Sequence, residues 1–206
     1  PLDPLVADAA VLEVGCSDAG LLAHLRTLPD APARSAIGVS RDKGAASAEA
    51  DRPRPDFGYV GERLEWHDRA SSLDALDPNT FDLIICRDFE QSFAMADVEG
   101  GLKRFYGLLR PGGGALLTVR CAGPEASQQG PGYGILTPSS WVMLLLASGF
   151  EISNERRLWR RMEDAKIMSS ILPLSSEEER MTDEIRLRVV RPWESWELEK
   201  AWAAKS

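Results

Sequence analysis

The sequence is poor in the residues that bind metals or form disulfides. It contains three cysteines and two histidines in 206 residues. Cys16, Cys86 and Cys121 lie far apart and form no Cys-x-x-Cys pair, which argues against a zinc knuckle or a disulfide framework. No metal site is expected, and the thiols are predicted to be small buried groups. His24 falls within an expected helix and is predicted to pack in the core.

Long hydrophobic runs are also missing. No apolar segment approaches the roughly 20 residues that a helix needs to cross a bilayer, and the N-terminus lacks the layout of a signal peptide. The sequence therefore predicts a cytoplasmic protein that does not enter a membrane. The chain opens on Pro1 rather than Met, and its first apolar segment begins near Ala10, so we expect a longer parent chain.

An excess of basic residues is absent as well. The formal net charge of -8 argues against binding to nucleic acid, because phosphate contacts depend on clustered lysine and arginine. The densest basic group is formed by Arg156, Arg157, Arg160 and Arg161, and we interpret it as the solvated side of a strand and the turn after it.

Short apolar runs alternate with longer amphipathic segments, a pattern typical of a parallel sheet covered by helices on both faces. The length and a hydrophobic content of 44% predict one domain over residues 1–206. The expected strands are 10–14, 35–39, a segment within 57–67, Phe81–Cys86, 115–119, 150–159 and 184–190. The expected helices are 21–28, 98–109 and 137–147, and residues 163–183 form an insertion between the last two strands.

Residues 11–22 combine a strand, a tight turn of small residues and the start of a helix. Such a turn exposes main-chain N–H groups and lets a nucleotide-like ligand approach the backbone closely. The pattern alone is weak, because glycine turns between strand and helix are common in α/β proteins that bind nothing there.

Four segments resemble motifs of the class I S-adenosylmethionine-dependent methyltransferases, in that family's order, over nearly the whole chain. In the turn, Glu13, Gly15 and Gly20 match the first motif. The other segments resemble the family's fourth strand, its turn before strand five and its helix before strand six: Phe81–Cys86, 108–113 and 137–150. The resemblance implies a three-layer αβα sandwich whose seven-stranded, mostly parallel sheet has an antiparallel last strand.

A dinucleotide site is the alternative for the first motif, because Gly15-x-Ser17-x-x-Gly20 approximates Gly-x-Gly-x-x-Gly. Three features argue against it. Glu13 occupies a strand position that is usually apolar in dinucleotide-binding proteins, no acid ends the second strand, and the Pro-Gly-Gly turn stays unexplained.

The resemblance assigns the first motif to the cofactor, S-adenosylmethionine. Glu13 would hold the amino group of the methionine portion, and the main chain around Gly15, Cys16 and Ser17 would pass beneath the cofactor. Gly20, the last matched position of the motif, is assigned to the cofactor as well. Ser17 is one of two small residues that replace glycines of the family's pattern, which requires a negative φ there.

The second and third strands carry the remaining cofactor contacts that the resemblance implies. Ser40 stands where the family has an acid that binds both ribose hydroxyls, and the loss of a charge-assisted pair weakens binding by roughly 1 to 3 kcal/mol. Asp42 is the alternative for that role. Asp68 corresponds to the acid that accepts from the adenine amino group, with Glu62 as its alternative.

The end of the fourth strand is where the family places residues that face the cofactor and the substrate. Cys86 and Arg87 are assigned to the cofactor, and Asp88 and Glu90 are the candidate catalytic bases. Gln91 stands near the position of a histidine that the family often has, and an amide cannot abstract a proton at neutral pH. The pattern therefore favours catalysis by proximity, or no catalysis.

Two functions follow. The first is methyl transfer to a small molecule, with the loop 122–136, including Tyr133, and the insertion 163–183 shaping the acceptor site. The second is a catalytically inactive methyltransferase-like domain that serves as a binding or scaffold module. A homodimer partner or an additional domain is expected to supply a lid over the cofactor.

Overall fold

The computed structural model describes residues 8–16, 20–28, 33–40, 64–68, 73–89, 97–121, 136–152, 158–161, 167–169 and 182–194. These residues form one large sheet with helices on both of its faces. Within them, no helix combines the length and the apolar character that crossing a membrane requires.

The strands of the first half of the chain are β1 (Ala10–Cys16), β2 (Ser35–Ser40), β3 (Leu64–Asp68), β4 (Phe81–Cys86) and β5 (Leu109–Arg120). They pair in parallel, with β1 between β2 and β4. β4 is apolar almost without interruption, as expected of a parallel strand with helices on both sides.

The second half of the chain completes the sheet with antiparallel strands. These are β6 (Glu151–Ile152), β7 (Leu158–Arg161), β8 (Ile167–Ser169) and β9 (Thr182–Val190). The strand order is β3-β2-β1-β4-β5-β9-β7-β8, with β6 paired to β9 as well. β9 runs antiparallel to β5, as the resemblance implies.

The sheet has nine strands among the described residues, two more than predicted. One difference is that the expected strand 150–159 is divided: β6 and β7 both pair with β9, at opposite ends of it. The other is β8, which lies within the expected insertion and pairs antiparallel with β7. The fold class is unchanged by this extension.

Among the described residues, three helices flank the sheet: α1 (Gly20–Thr27), α2 (Val98–Leu108) and α3 (Pro138–Ala147). Thr137 is the N-cap of α3, since its side chain accepts from the N–H of Ser140 at 3.2 Å, and Pro138 occupies the first turn as predicted. α3 ends at Ala147, and Gly149, two residues later, has a φ of +92°, which favours glycine.

The glycine-rich segment after α2 differs from the prediction. α2 ends at Leu108, and the segment expected as a turn already belongs to β5. The N–H of Gly112 donates to the carbonyl of Arg191, and the N–H of Arg191 donates to that of Gly113, both at 2.9 Å. Gly113 also permits close packing, because a Cβ there would lie 2.9 Å from the Arg110 carbonyl oxygen.

The core lies on both faces of the sheet, which confirms the three-layer arrangement. On one face, α2 and α3 cover β1 residues such as Leu12 and Val14. There the ring of Phe89 meets those of Phe105 and Trp141 edge-to-face, with centroids 5.4 and 6.1 Å apart. On the other face, α1 buries Val11 together with residues of β2 and β4.

Candidate functional site

The carboxyl ends of the parallel strands bring most of the predicted site residues to one edge of the sheet. Ser40 ends β2 and is the Cα partner of both Cys16 at the end of β1 and Asp68 at the end of β3. Cys86 ends β4 and is paired with Val14. Open α/β sheets bind their ligands at this edge, at the point where the order of the strands in the sheet reverses.

The backbone bends at Gly15, near the end of β1. Gly15 adopts a φ of +79°, which side chains disfavour, and the pairing of β1 with β2 shifts register between Val14 and Cys16. Gly20 is the first residue of α1. Ser17 lies outside the described residues.

Glu13 is the buried acid of the site. It is 1% exposed, and it follows Val11 on the face that α1 covers. Its partners on the neighbouring strands are Gly38 and Ile85, and Gly38 contributes no side chain beside the carboxylate. Burying a charged carboxylate is costly unless a donor or cation accompanies it.

Arg87 provides that cation. Its Nη2 lies 3.0 Å from Glu13 Oε1, while its own side chain is 61% exposed. The contact joins the residue after β4 to the middle of β1. Both residues were expected at the cofactor, and their pairing was not predicted. The signal for it is that both positions fall on the same face of adjacent strands.

Asp88 and Phe89 fix the rest of the turn after β4. Asp88 has a φ of +52°, and its Oδ1 lies 3.8 Å from Nε of Arg120, at the end of β5. Phe89 is fully buried under α2 and α3. The turn is thus held on the β1 side by Arg87, on the β5 side by Asp88 and in the core by Phe89. Arg120 was not among the predicted site residues.

Other predicted residues are placed differently or lie outside the description. The thiol of Cys86 is buried in the core below α2 and α3, so only its main chain is at the edge. The prediction for His24 was wrong, because His24 is on the exposed side of α1. Glu90, the second candidate base, and the two alternatives Asp42 and Glu62 lie outside the described residues.

No metal centre is found in the part of the chain that the structure describes, where no three His, Cys, Asp or Glu side chains are grouped to hold an ion. Cys121 is buried like Cys86. The side chain of Cys16 lies outside the description.

Comparison with known proteins places this arrangement in a family. A family model described as a methyltransferase domain matches residues 12–117, just over half of the chain. No curated protein matches the sequence significantly.

Solved structures share the fold at low identity. A chain of the complex between the Haloferax volcanii Trm112 methyltransferase activator and the putative methyltransferase has a TM-score of 0.62 at 14% identity, covering 93% of this chain and 85% of that chain. A methyltransferase from Methanosarcina mazei gives 0.60 at 15% identity, with 91% and 94% covered. The cyclase SpnF gives 0.65 at 17% identity, with 93% and 77% covered. Since the family match includes the bend after β1, the chain belongs to the class I S-adenosylmethionine-dependent methyltransferases.

Proposed function

We propose that this chain binds S-adenosylmethionine and transfers its methyl group to a small-molecule acceptor. The observation that carries the proposal is the buried carboxylate of Glu13, which lies two residues before the positive-φ bend at Gly15 and accepts a hydrogen bond from a cationic donor. A site with these properties is suited to a ligand that brings its own ammonium group.

The residues at this edge of the sheet fit the cofactor. Glu13 already accepts from the guanidinium of Arg87 at 3.0 Å, and an ammonium offers the same charge and the same kind of N–H donor. Gly15 leaves the backbone without a Cβ where a ligand would approach it. The hydroxyl of Ser40 would bind the ribose and the carboxylate of Asp68 the adenine amino group, at neighbouring strand ends.

When bound, the cofactor supplies an electrophilic methyl group on a sulfonium. The residues of this chain hold and align the reactants, which accounts for most of the catalysis in a displacement of this kind. Asp88 would accept a proton from an acceptor that carries one, since its carboxylate is partly exposed beside β4 and β5. Glu90 is proposed for the same role.

The proposal of a small-molecule acceptor draws on the structural neighbours. One was solved in a study of the conversion of a disulfide bond into a thioacetal group during echinomycin biosynthesis, and another is a carbon methyltransferase, CurJ. The cyclase SpnF indicates that the fold alone does not fix the reaction. An activator subunit, as in the Haloferax volcanii complex, or a second copy of this chain would supply the lid.

Titration calorimetry with S-adenosylhomocysteine tests the proposal directly. We expect saturable binding to the wild-type chain and at least about tenfold weaker binding to Glu13→Gln, which keeps the shape of the side chain but loses its charge. Glu99→Gln, an exposed change of the same chemistry on α2, is the control and should bind as the wild type does. Absence of heat at millimolar ligand would contradict the proposed function and leave only the assignment of the fold.

A further inference from the structure

The helix α3 is apolar on the side that faces away from the sheet as well as on the side that packs against it. Trp141 and Leu145 are buried on the inner side, whereas Met143 is 64% and Leu146 is 47% exposed. Residues 136–150 include no charged side chain. A helix that is apolar all round is normally covered on all sides. The outer side of α3 therefore has the composition of a surface that packs against another element.

The outer side of α2, on the same face of the sheet, has a different composition. It carries Glu99 and Lys103, two exposed side chains that form an ion pair at 2.6 Å. Arg104 forms another pair with Asp97, at 2.9 Å. Such pairs are typical of a helix surface in water. The apolar outer side is thus a property of α3 and does not extend over this whole side of the molecule.

Four exposed residues form what we call the α3 face: Ser140, Met143, Leu146 and Ala147. The steps of three and four residues from Ser140 to Met143 and on to Ala147 are those of a seam between two packed helices. The hydroxyl of Ser140 lies 3.0 Å from that of Thr137 in the cap of the same helix, within hydrogen-bond distance. Since this polar group already has a partner, covering the face costs little.

The α3 face is complementary to itself about a two-fold axis at Met143. In an antiparallel pair of α3 helices centred there, Leu146 of each copy lies opposite Ser140 of the other, and Met143 meets its own counterpart. A large side chain then faces a small one on both sides of a flexible thioether. Two copies that each carry a net charge of -8 repel one another, so an uncharged face is suited to their contact.

We infer that a second copy of this chain docks on the α3 face and forms a two-fold dimer. The helix has ten residues and is about 15 Å long, so the contact is small and the dimer is expected to be weak. The indole N–H of Trp141 donates to the carbonyl of Arg120 at 3.0 Å, which holds the first turns of α3 beside the carboxyl end of β5. The second copy would thus lie close to the edge of the sheet that carries the site.

Sedimentation velocity of the full chain, from about 1 to 500 µM, tests the inference. We expect a reversible wild-type dimer with a Kd in the micromolar range. Met143→Glu and Met143→Lys should each weaken the dimer at least about tenfold, because like charges meet at the two-fold axis. An equimolar mixture of the two variants should regain association, since opposite charges then meet. Only a face that packs against its own copy at Met143 gives this rescue.

Ala75→Glu is the matched control, because it adds the same acid at an exposed position next to Asp74, which pairs with Arg104 of α2. It should associate as the wild type does. The inference is wrong if the wild type stays monomeric throughout, if both Met143 variants dimerise normally, or if their mixture associates no better than either alone.

Thermal unfolding at low concentration identifies another occupant of the α3 face. Met143→Glu should have the Tm of the wild type when both are monomers. A clearly lower Tm would show that residues of the same chain cover the face, and would overturn the inference. Dimerisation does not rest on the proposed function: a dimer that fails to bind S-adenosylhomocysteine would contradict that function and retain the α3 contact.

Discussion

Arg87 Nη2 lies 3.0 Å from Glu13 Oε1, so an exposed arginine after β4 neutralises an acid buried within β1. Substitutions of the two residues are expected to have opposite effects on cofactor binding. Glu13 is the proposed partner of the cofactor's ammonium, whereas Arg87 would compete with that ammonium for the same carboxylate.

Arg87→Gln is expected to bind S-adenosylhomocysteine a few-fold more tightly than the wild type, in contrast to Glu13→Gln. It should also lower the free energy of unfolding of the ligand-free protein by about 1 kcal/mol, a value that allows for the exposure of Arg87. Calorimetry and urea denaturation measure the two effects. If Arg87→Gln weakens binding as Glu13→Gln does, Arg87 holds the ligand itself and does not compete with it.

Ser40→Asp restores an acid at the end of β2, between the partners Cys16 and Asp68. We expect the affinity for S-adenosylhomocysteine to rise by roughly 1 to 3 kcal/mol, because a carboxylate makes two charge-assisted hydrogen bonds with the ribose where a hydroxyl makes one weaker bond. Ser35→Asp, the same change at the other end of β2, is the control in the calorimetry. Equal affinities for all three proteins would show that the ribose does not reach this position.

Asp88 has a φ of +52°. Asn tolerates this backbone conformation as Asp does, whereas Ala does not favour it. Asp88→Asn should therefore keep the stability of the wild type, whereas Asp88→Ala should lose about 1 to 2 kcal/mol. With an acceptor that must lose a proton, both variants should reduce kcat to a similar extent, although only Asp88→Ala is less stable than the wild type. Retention of full kcat in Asp88→Asn would exclude Asp88 as the base.

Arg191 is 6% exposed and stabilises the end of the sheet that is remote from the site. Its Nη1 donates to the Leu109 carbonyl at 2.7 Å and to Asn79 Oδ1, and its guanidinium lies 4.9 Å from the ring centroid of Tyr106. Arg191→Met should lower the free energy of unfolding by about 2 to 3 kcal/mol, because buried acceptors lose their donor. S-adenosylhomocysteine binding should not change. Lys103→Met, on the exposed side of α2, is the control for denaturation.

The parallel half of the fold could be predicted because each of its strands is a distinct apolar run. β4 carries a strong local signal, and the N-cap at Thr137 depends on residues within one turn of it. The division into β6 and β7 could not be predicted, because two short pieces along β9 leave the same apolar pattern as one strand.

The side-chain contacts of the site were harder to predict than its location. The end of each strand is visible in the sequence, but Glu13 meets Arg87 and Asp88 meets Arg120 only through the register of β1, β4 and β5. The prediction for His24 was wrong for a related reason, because helical spacing alone does not fix which side of α1 faces the sheet.

The turn of residues 87–89 connects the site to the rest of the sheet. Arg87, Asp88 and Phe89 are consecutive, and they reach β1, β5 and the core respectively. A ligand that draws Glu13 away from Arg87 would therefore loosen a segment that also reaches β5 and the core. Ligand affinity and the stability of this turn would then be coupled, and such coupling is reciprocal: a substitution that loosens the turn would change the affinity as much as the ligand changes the turn.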